Sequence, residues 1–300
     1  MPHPDRTLYQ FPISHFCEKT RWNLDAKALP YGVRNLLPGT HTRVTKRLTE
    51  GRVRSVPVLV DRGTPLGDST DIALHLERAY PSAPRLIPAE GPERERVLEL
   101  EAYYDETAGV HVRRWVYAKL LEDESAVKSV LFGAFPLPVR LIGHAMFPLV
   151  KKNIQRHYVQ SPEQVEASWG KLLEGIERLE REIQGDPARY LVGDRLSIAD
   201  ITAAALYSPL MGPEGSPYAP QRGERAPRQL ERVREELLAR PAGQWFVRRY
   251  REDRQRPARG FPRAPTLPER EGRSGRMGIS RRLRGWRPGF FHQPQPREIP

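Results

Sequence analysis

A proline stands inside the run Ser55-Val56-Pro57-Val58-Leu59-Val60-Asp61, and it narrows what the first third of the chain can become. Val58, Leu59 and Val60 read as a buried strand. Proline has no N–H to give a ladder, so it is tolerated there only at an edge or with special geometry. A trans bond at a sheet edge is one solution. A cis Val56–Pro57 bond is the other; it costs about 0.5–1 kcal/mol for X–Pro. It would turn the Val56 backbone N–H and C=O outward, where an extended peptide could pair with them as an added strand.

The segments before this run have their own punctuation. Leu8–Phe11 is strand-like and meets Pro12; then Ile13-Ser14-His15-Phe16-Cys17-Glu18-Lys19-Thr20-Arg21-Trp22 opens a helix. The spacing of Cys17, Thr20, Arg21, Leu24 and Ala28 predicts a helix from Cys17 to about Leu29. Ser14 has two readings. It is an N-cap, or its hydroxyl joins the unpaired first-turn N–H groups and the positive helix end in holding an anion.

A Pro30-Tyr31-Gly32 turn leads to an apolar run, Val33 to Leu37, and then to a basic helical segment, Thr42–Leu48, with Arg43, Lys46 and Arg47. After the proline-led strand and a Gly63 turn come Thr64-Pro65-Leu66-Gly67 and a helix marked by Ile72, Ala73, Leu76 and Tyr80. Ser69 at the start of that helix can cap it or receive a carboxylate, and Asp68 beside it could take an ammonium. The order β-α-β-α-β-β-α makes residues 1–82 one small α/β layer domain.

Residues 83–91 read as a linker, and 92–250 as all-helical. Val97, Leu100, Tyr104 and Ala108 mark one long helix from about Glu93. Val165, Trp169, Leu172, Leu173, Ile176, Leu179 and Ile183 form a clean apolar stripe on another. Ser197 and Asp200 have the spacing of a capping box, a structural pair. Val130–Val150 carries Pro136, Pro138 and Pro148 and is too interrupted for a membrane span. It is a pocket wall, a subunit contact, a membrane-surface element or a broken core helix. Tyr103, Tyr104, Trp115 and Tyr117 face either core or cleft, and His111 and Arg114 receive no role. Met211 to Tyr218 is a loop by composition. A helix near Gln229–Leu238 and the cluster Trp245, Phe246 and Tyr250 close the globular part.

Charge places the rest. Residues 251–300 hold 13 Arg and no Lys against 5 acidic residues, a net of +8 out of +12 for the chain. With 8 Pro, 6 Gly and no apolar periodicity, this tail is expected to be disordered. Nucleic acid is therefore not the partner expected of the folded part, although the tail's arginines could touch RNA or an acidic partner. The single cysteine, Cys17, excludes an internal disulfide and a Cys-rich metal site. Walker A, HExxH and paired-Cys zinc patterns are missing, so no metal is expected. No run of about 20 apolar residues and no secretory leader are present; a cytoplasmic protein is expected.

Taken together, the Ser14-x-x-Cys17 helix start, Val56-Pro57-Val58-Leu59 and Asp68-Ser69-Thr70 resemble the glutathione transferase superfamily in order and spacing. The resemblance implies an α/β thioredoxin-like domain followed by an all-α helical bundle that contributes the electrophile pocket. It implies glutathione as co-substrate, a small hydrophobic electrophile as its partner and a homodimer. Ser14 matches the residue that activates the glutathione sulfur. Val56, ahead of cis Pro57, matches the backbone partner of the cysteinyl unit, and Asp68 and Ser69 match the pair that holds the γ-glutamyl end. For the glycine carboxylate His41, Arg43 and Lys46 are candidates, with His41 slightly favoured. Cys17 falls where a redox relative keeps its second thiol, and is otherwise a buried helix residue. The expected activity is attack of an activated thiolate on an electrophile in conjugation, isomerisation or cleavage. The alternatives are a binding or assembly module without turnover and a glutathione-dependent thiol reductase through Cys17.

Overall fold

The computed structural model describes residues 5–133, 135–219 and 227–254. The first domain follows the expected order. Strand β1 (Arg6–Gln10), helix α1 (His15–Ala26), β2 (Gly32–Asn35), α2 (His41–Leu48), β3 (Val58–Asp61), β4 (Thr64–Gly67) and α3 (Ser69–Ala79) succeed one another. The sheet order is β2-β1-β3-β4, with β1 parallel to β2 and antiparallel to β3. Leu8 sits opposite Val33 on one side and Leu59 on the other. It packs with Leu24, Ile72 and Leu76 into a core of its own.

Pro57 therefore does not lie at an edge. β3 runs inside the sheet, between β1 and β4, and the Val56–Pro57 bond ahead of it is cis. Helix α1 stops at Ala26, three residues short of the predicted end. Ala28 adopts a left-handed φ of 53°, and Pro30 disfavours helical backbone at Leu29.

Helix α3 is capped by Asp68 rather than by Ser69. The Asp68 carboxylate accepts from the amides of Thr70 at 2.9 Å and Asp71 at 3.3 Å. The carboxylate reaches two exposed donors and complements the positive helix end, which a hydroxyl one residue inside the helix does not do.

The helical domain begins with α4 (Pro92–Leu120), at 29 residues the longest helix of the described chain, about 43 Å at 1.5 Å per residue. Then follow α5 (Glu124–Phe132), α6 (Leu137–Ala145), α7 (Phe147–Ile154), a π-helical turn Gln155–Val159 and α8 (Pro162–Glu182). Helices α9 (Ile198–Met211), α10 (Arg228–Leu238) and α11 (Pro241–Arg249) complete it, with a second π-helical turn, Tyr250–Arg254. Every residue of α9 is buried, the pattern of a helix apolar all round. Its Ser197–Asp200 capping box forms as expected, and the Asp200 carboxylate also accepts from the Leu191 amide at 2.8 Å.

The two domains are joined by a polar seam rather than by apolar contact alone. Lys19 of α1 is fully buried, with its Nζ 2.5 Å from Glu101 and 2.6 Å from Asp105 of α4 and 2.9 Å from Thr70 of α3. Burial opposes its charge, but Asp105 and Glu101 overcome that and raise its pKa. His15 Nε2 donates to the Gly109 carbonyl at 2.8 Å, and a Cβ at Gly109 would collide with the Phe16 ring, so glycine lets α4 approach α1. Arg254 donates to Glu18 at 2.7 Å and Asp25 at 2.6 Å. Burial alone would raise the Glu18 carboxyl; Arg254 and Arg21 hold it down at about 2. The helical part thus continues through Arg254, four residues past the predicted boundary, and the expectation of disorder for 255–300 lies outside the described residues.

Candidate functional site

A cavity of about 1090 Å³ opens between the two domains. Its first wall consists of backbone junctions. Ser14 stands where β1 hands over to α1, with extended backbone at φ −85° and ψ 125°, and its hydroxyl oxygen accepts from the Cys17 amide at 3.3 Å. The cap and anion readings of Ser14 are compatible, because capping uses an oxygen lone pair and leaves the O–H free to donate. Val56 and Pro57 line the same cavity, as do Asp68 and Ser69 at the start of α3. Five of the sequence-predicted site residues thus share one wall.

His41 lines that wall too, but not as a cation. It is buried against Phe11, with ring centroids 4.8 Å apart. Burial lowers its pKa to about 4, so it is neutral at pH 7. The positive side chains here are Arg43 and Lys46, weighed beside it from the sequence, and Arg54, which sequence reasoning passed over. Its signal was available: a basic residue three positions before Pro57.

Cys17 is not at the site. Its side chain has no exposure, it does not line the cavity, and burial pushes its thiol pKa up. A thiol in the first turn of α1 but turned to the core is screened from a mixed disulfide, and burial disfavours the thiolate that would act as nucleophile. Cys17 therefore stands as the buried helix residue that was the other expectation, and neither its exposure nor its thiol supports the second-thiol reading.

The second wall belongs to the helical domain. Arg113, Val116, Tyr117 and Leu120 project from α4, and Leu131, Phe132, Val139, Ile142, Met146 and Leu149 come from α5 to α7. The interrupted segment 130–150 is therefore a pocket wall, and the proline breaks are the ends of its short helices. Of the aromatics left open, Tyr117 faces the cleft. Tyr104 lies in the core and Trp115 stacks on Trp169 at 4.7 Å. His111 and Arg114 share the Ser168 hydroxyl at 2.9 and 3.0 Å.

Sequence reasoning missed Arg113 and Tyr218. The Tyr218 hydroxyl donates to the Ile13 carbonyl, which ties the loop after α9 to the loop that carries Ser14. No local pattern marks Tyr218, because its partner lies 205 positions away. Among the described residues, no helix is long and apolar enough to cross a membrane, and no cluster of His, Cys, Asp or Glu is placed to hold a metal.

Residues 8–85 match the family model of the glutathione S-transferase N-terminal domain, and residues 162–211 match that of the C-terminal domain. Among solved structures the chain is similar to rice GST1 in complex with glutathione, at 17% identity and TM-score 0.54, over 88% of this chain and 93% of that one. It is also similar to glutathione transferase GSTFuA3 from Phanerochaete chrysosporium, at 20% identity and TM-score 0.54, over 82% and 96%. A third similar structure is the beta-etherase LigF from Sphingobium sp. strain SYK-6, at 20% identity and TM-score 0.51, over 82% and 99%. At these identities the structures speak for the fold. No curated protein matches the chain.

Proposed function

Because the chain belongs to the glutathione transferase superfamily, we propose that it activates the sulfur of glutathione for attack on a small electrophile held against the helical wall. Glutathione is the co-substrate that goes with this family, and the first wall fits it residue by residue. A tripeptide with two carboxylates, one ammonium and one thiol meets a hydroxyl at a helix N-terminus in Ser14. It meets a proline-led backbone at Val56–Pro57, an acid and a buried hydroxyl at Asp68 and Ser69, and the cations Arg43, Lys46 and Arg54. The observation that carries the reading is that these groups, scattered over 55 positions of sequence, line one cavity with Ser14.

Charge sets the mechanism. A free thiol ionises near 8.5, so only a few per cent is thiolate at pH 7. The Ser14 O–H, donating to sulfur, and the positive end of α1 both favour the charged form. A drop of about one to two pH units makes thiolate the main species, at about 1.4 kcal/mol per unit. The cleft then holds that nucleophile beside its electrophile. Sulfur–carbon bond formation expels the leaving group with its electron pair, and the thiol proton goes to solvent.

Retention on immobilised glutathione, followed by ultraviolet titration of the bound thiol in the wild type and in Ser14→Ala, tests this. The expected result is binding in both, with the ionisation midpoint about 1–2 pH units higher in the variant. Equal midpoints near the free value, with no turnover on a panel of electrophiles, would leave a glutathione-binding module in place of an enzyme.

A further inference from the structure

The cavity carries more positive charge than glutathione needs. Among the described residues its lining holds Arg43, Lys46, Arg54, Arg113, Lys152 and Arg156, against one carboxylate, Asp68. The first three stand on the glutathione wall, facing a peptide that carries two carboxylates. The other three stand on the helical wall. Arg113 precedes Val116 and Tyr117 by three and four residues on α4, so it shares their cavity-facing side. Its guanidinium lies 4.5 Å from the centroid of the Tyr158 ring, in the π-helical turn that also carries Arg156. Lys152 and Arg156 are four apart along continuous helix, where like charges repel by a few tenths of a kcal/mol. No carboxylate among the described residues pairs with any of the three. The surfaces beside them are apolar: Val116, Leu120, Phe132, Ile142 and Leu149.

A half-buried arginine without a carboxylate partner and two further cations lining the same largely apolar wall are what an amphipathic anion complements. We propose that the helical end of the cleft selects electrophiles bearing an anionic group, a carboxylate or sulfonate on an apolar, ring-sized body. Arg113 holds the anion, and Lys152 and Arg156 complete a cationic rim. The inference rests on the transferase reading for its chemistry, and on the lining charges alone for its selectivity.

A chloronitrobenzoate and its methyl ester make the test, since they differ in one negative charge. In each, the thiolate adds at the carbon bearing chlorine and chloride leaves with the bonding pair. With kcat/KM divided by the uncatalysed rate for each compound, the acid is expected to exceed the ester by about tenfold, the worth of one charge-assisted bond. Arg113→Gln should bring that ratio to about one. The exposed pair changed together, Lys152→Gln with Arg156→Gln, should lower it about two- to threefold, an effect that shrinks as salt rises. A ratio of one in the wild type, or equal losses for acid and ester in Arg113→Gln, overturns the proposal with the transferase intact. Calorimetry with the preformed glutathione conjugates of acid and ester separates the two failures. If neither electrophile turns over but the acid conjugate binds about tenfold tighter and loses this in Arg113→Gln, selectivity stands and turnover falls. Equal affinities of the two conjugates overturn the selectivity itself.

Discussion

Where the first wall of the cleft presents Ser14, Val56 and Asp68, it does so through backbone junctions: a helix start, a proline-led strand and a second helix start. The second wall presents Val116, Phe132 and Ile142 through helix faces, and α6 leaves much of its face open, with Leu137 and Leu141 65% and 61% exposed. On the proposed reading, the first wall would meet chemical groups common to one peptide, and the second, shaped by side chains, would take whatever fits. Generic activation and variable specificity would then sit on different elements, with the seam between α1 and α4 joining the domains that carry them.

Cutting the seam should cost most. Lys19→Met leaves Glu101 as a buried carboxylate without its cation, and removing one partner of a buried pair costs about 3–5 kcal/mol. Urea unfolding should show that loss, and the double change Lys19→Met with Glu101→Leu should recover much of it. A cost below about 1 kcal/mol for the single change would mean that the Lys19 cluster is not what holds the domains together.

Ser14→Ala should act on chemistry instead. We expect kcat/KM to fall about 10- to 100-fold for every electrophile, following the loss of thiolate, with the order of preference among them unchanged. A reordered panel would show that Ser14 also contacts the electrophile, and the division between walls would be blurred.

That division also explains what could be read from the chain. Ser14, Val56-Pro57 and Asp68-Ser69 are visible because caps and proline-led strands are local, with cause and effect within four residues. The Ser197–Asp200 box is legible for the same reason. The choice between Asp68 and Ser69 as cap was not, because both are good caps and only backbone geometry decides. That His41, slightly favoured for the glycine carboxylate, is neutral was not legible, because its burial against Phe11 depends on a residue 30 positions earlier. Arg113 and Tyr218 gain meaning only when distant segments meet, so no window of sequence shows them.

The seam should also respond to acid. Burial first, and Arg113 second, lower the His15 pKa to about 3, against the bond to Gly109 that raises it. The folded state therefore prefers neutral His15, while the unfolded chain takes up a proton near 6.5. Stability from this group is complete above about pH 6.5 and is lost as pH falls from there towards 3. At pH 5 the loss is about 2 kcal/mol. His41, lowered by burial to about 4, adds a loss of the same sign. His15→Gln should flatten the fall in unfolding free energy between pH 7 and pH 5, and identical slopes would remove His15 from the account.

The smallest effect on stability should come from the open wall, and there the comparison is sharpest. Ile142 and Leu149 line the cavity yet are 62% and 59% exposed, so replacing either by Ser gives up little burial. Such a change at the surface alters stability by about 0.5 kcal/mol or less. It still removes apolar contact from whatever occupies the trough, and one lost methylene-sized contact discriminates substrates by about tenfold or more. Ile142→Ser and Leu149→Ser should therefore reorder an electrophile panel while leaving the melting temperature and the bound-thiol titration where they were. If instead they lower melting and shift that titration, the open helices brace the first wall as well as facing it, and the two walls must be counted as one.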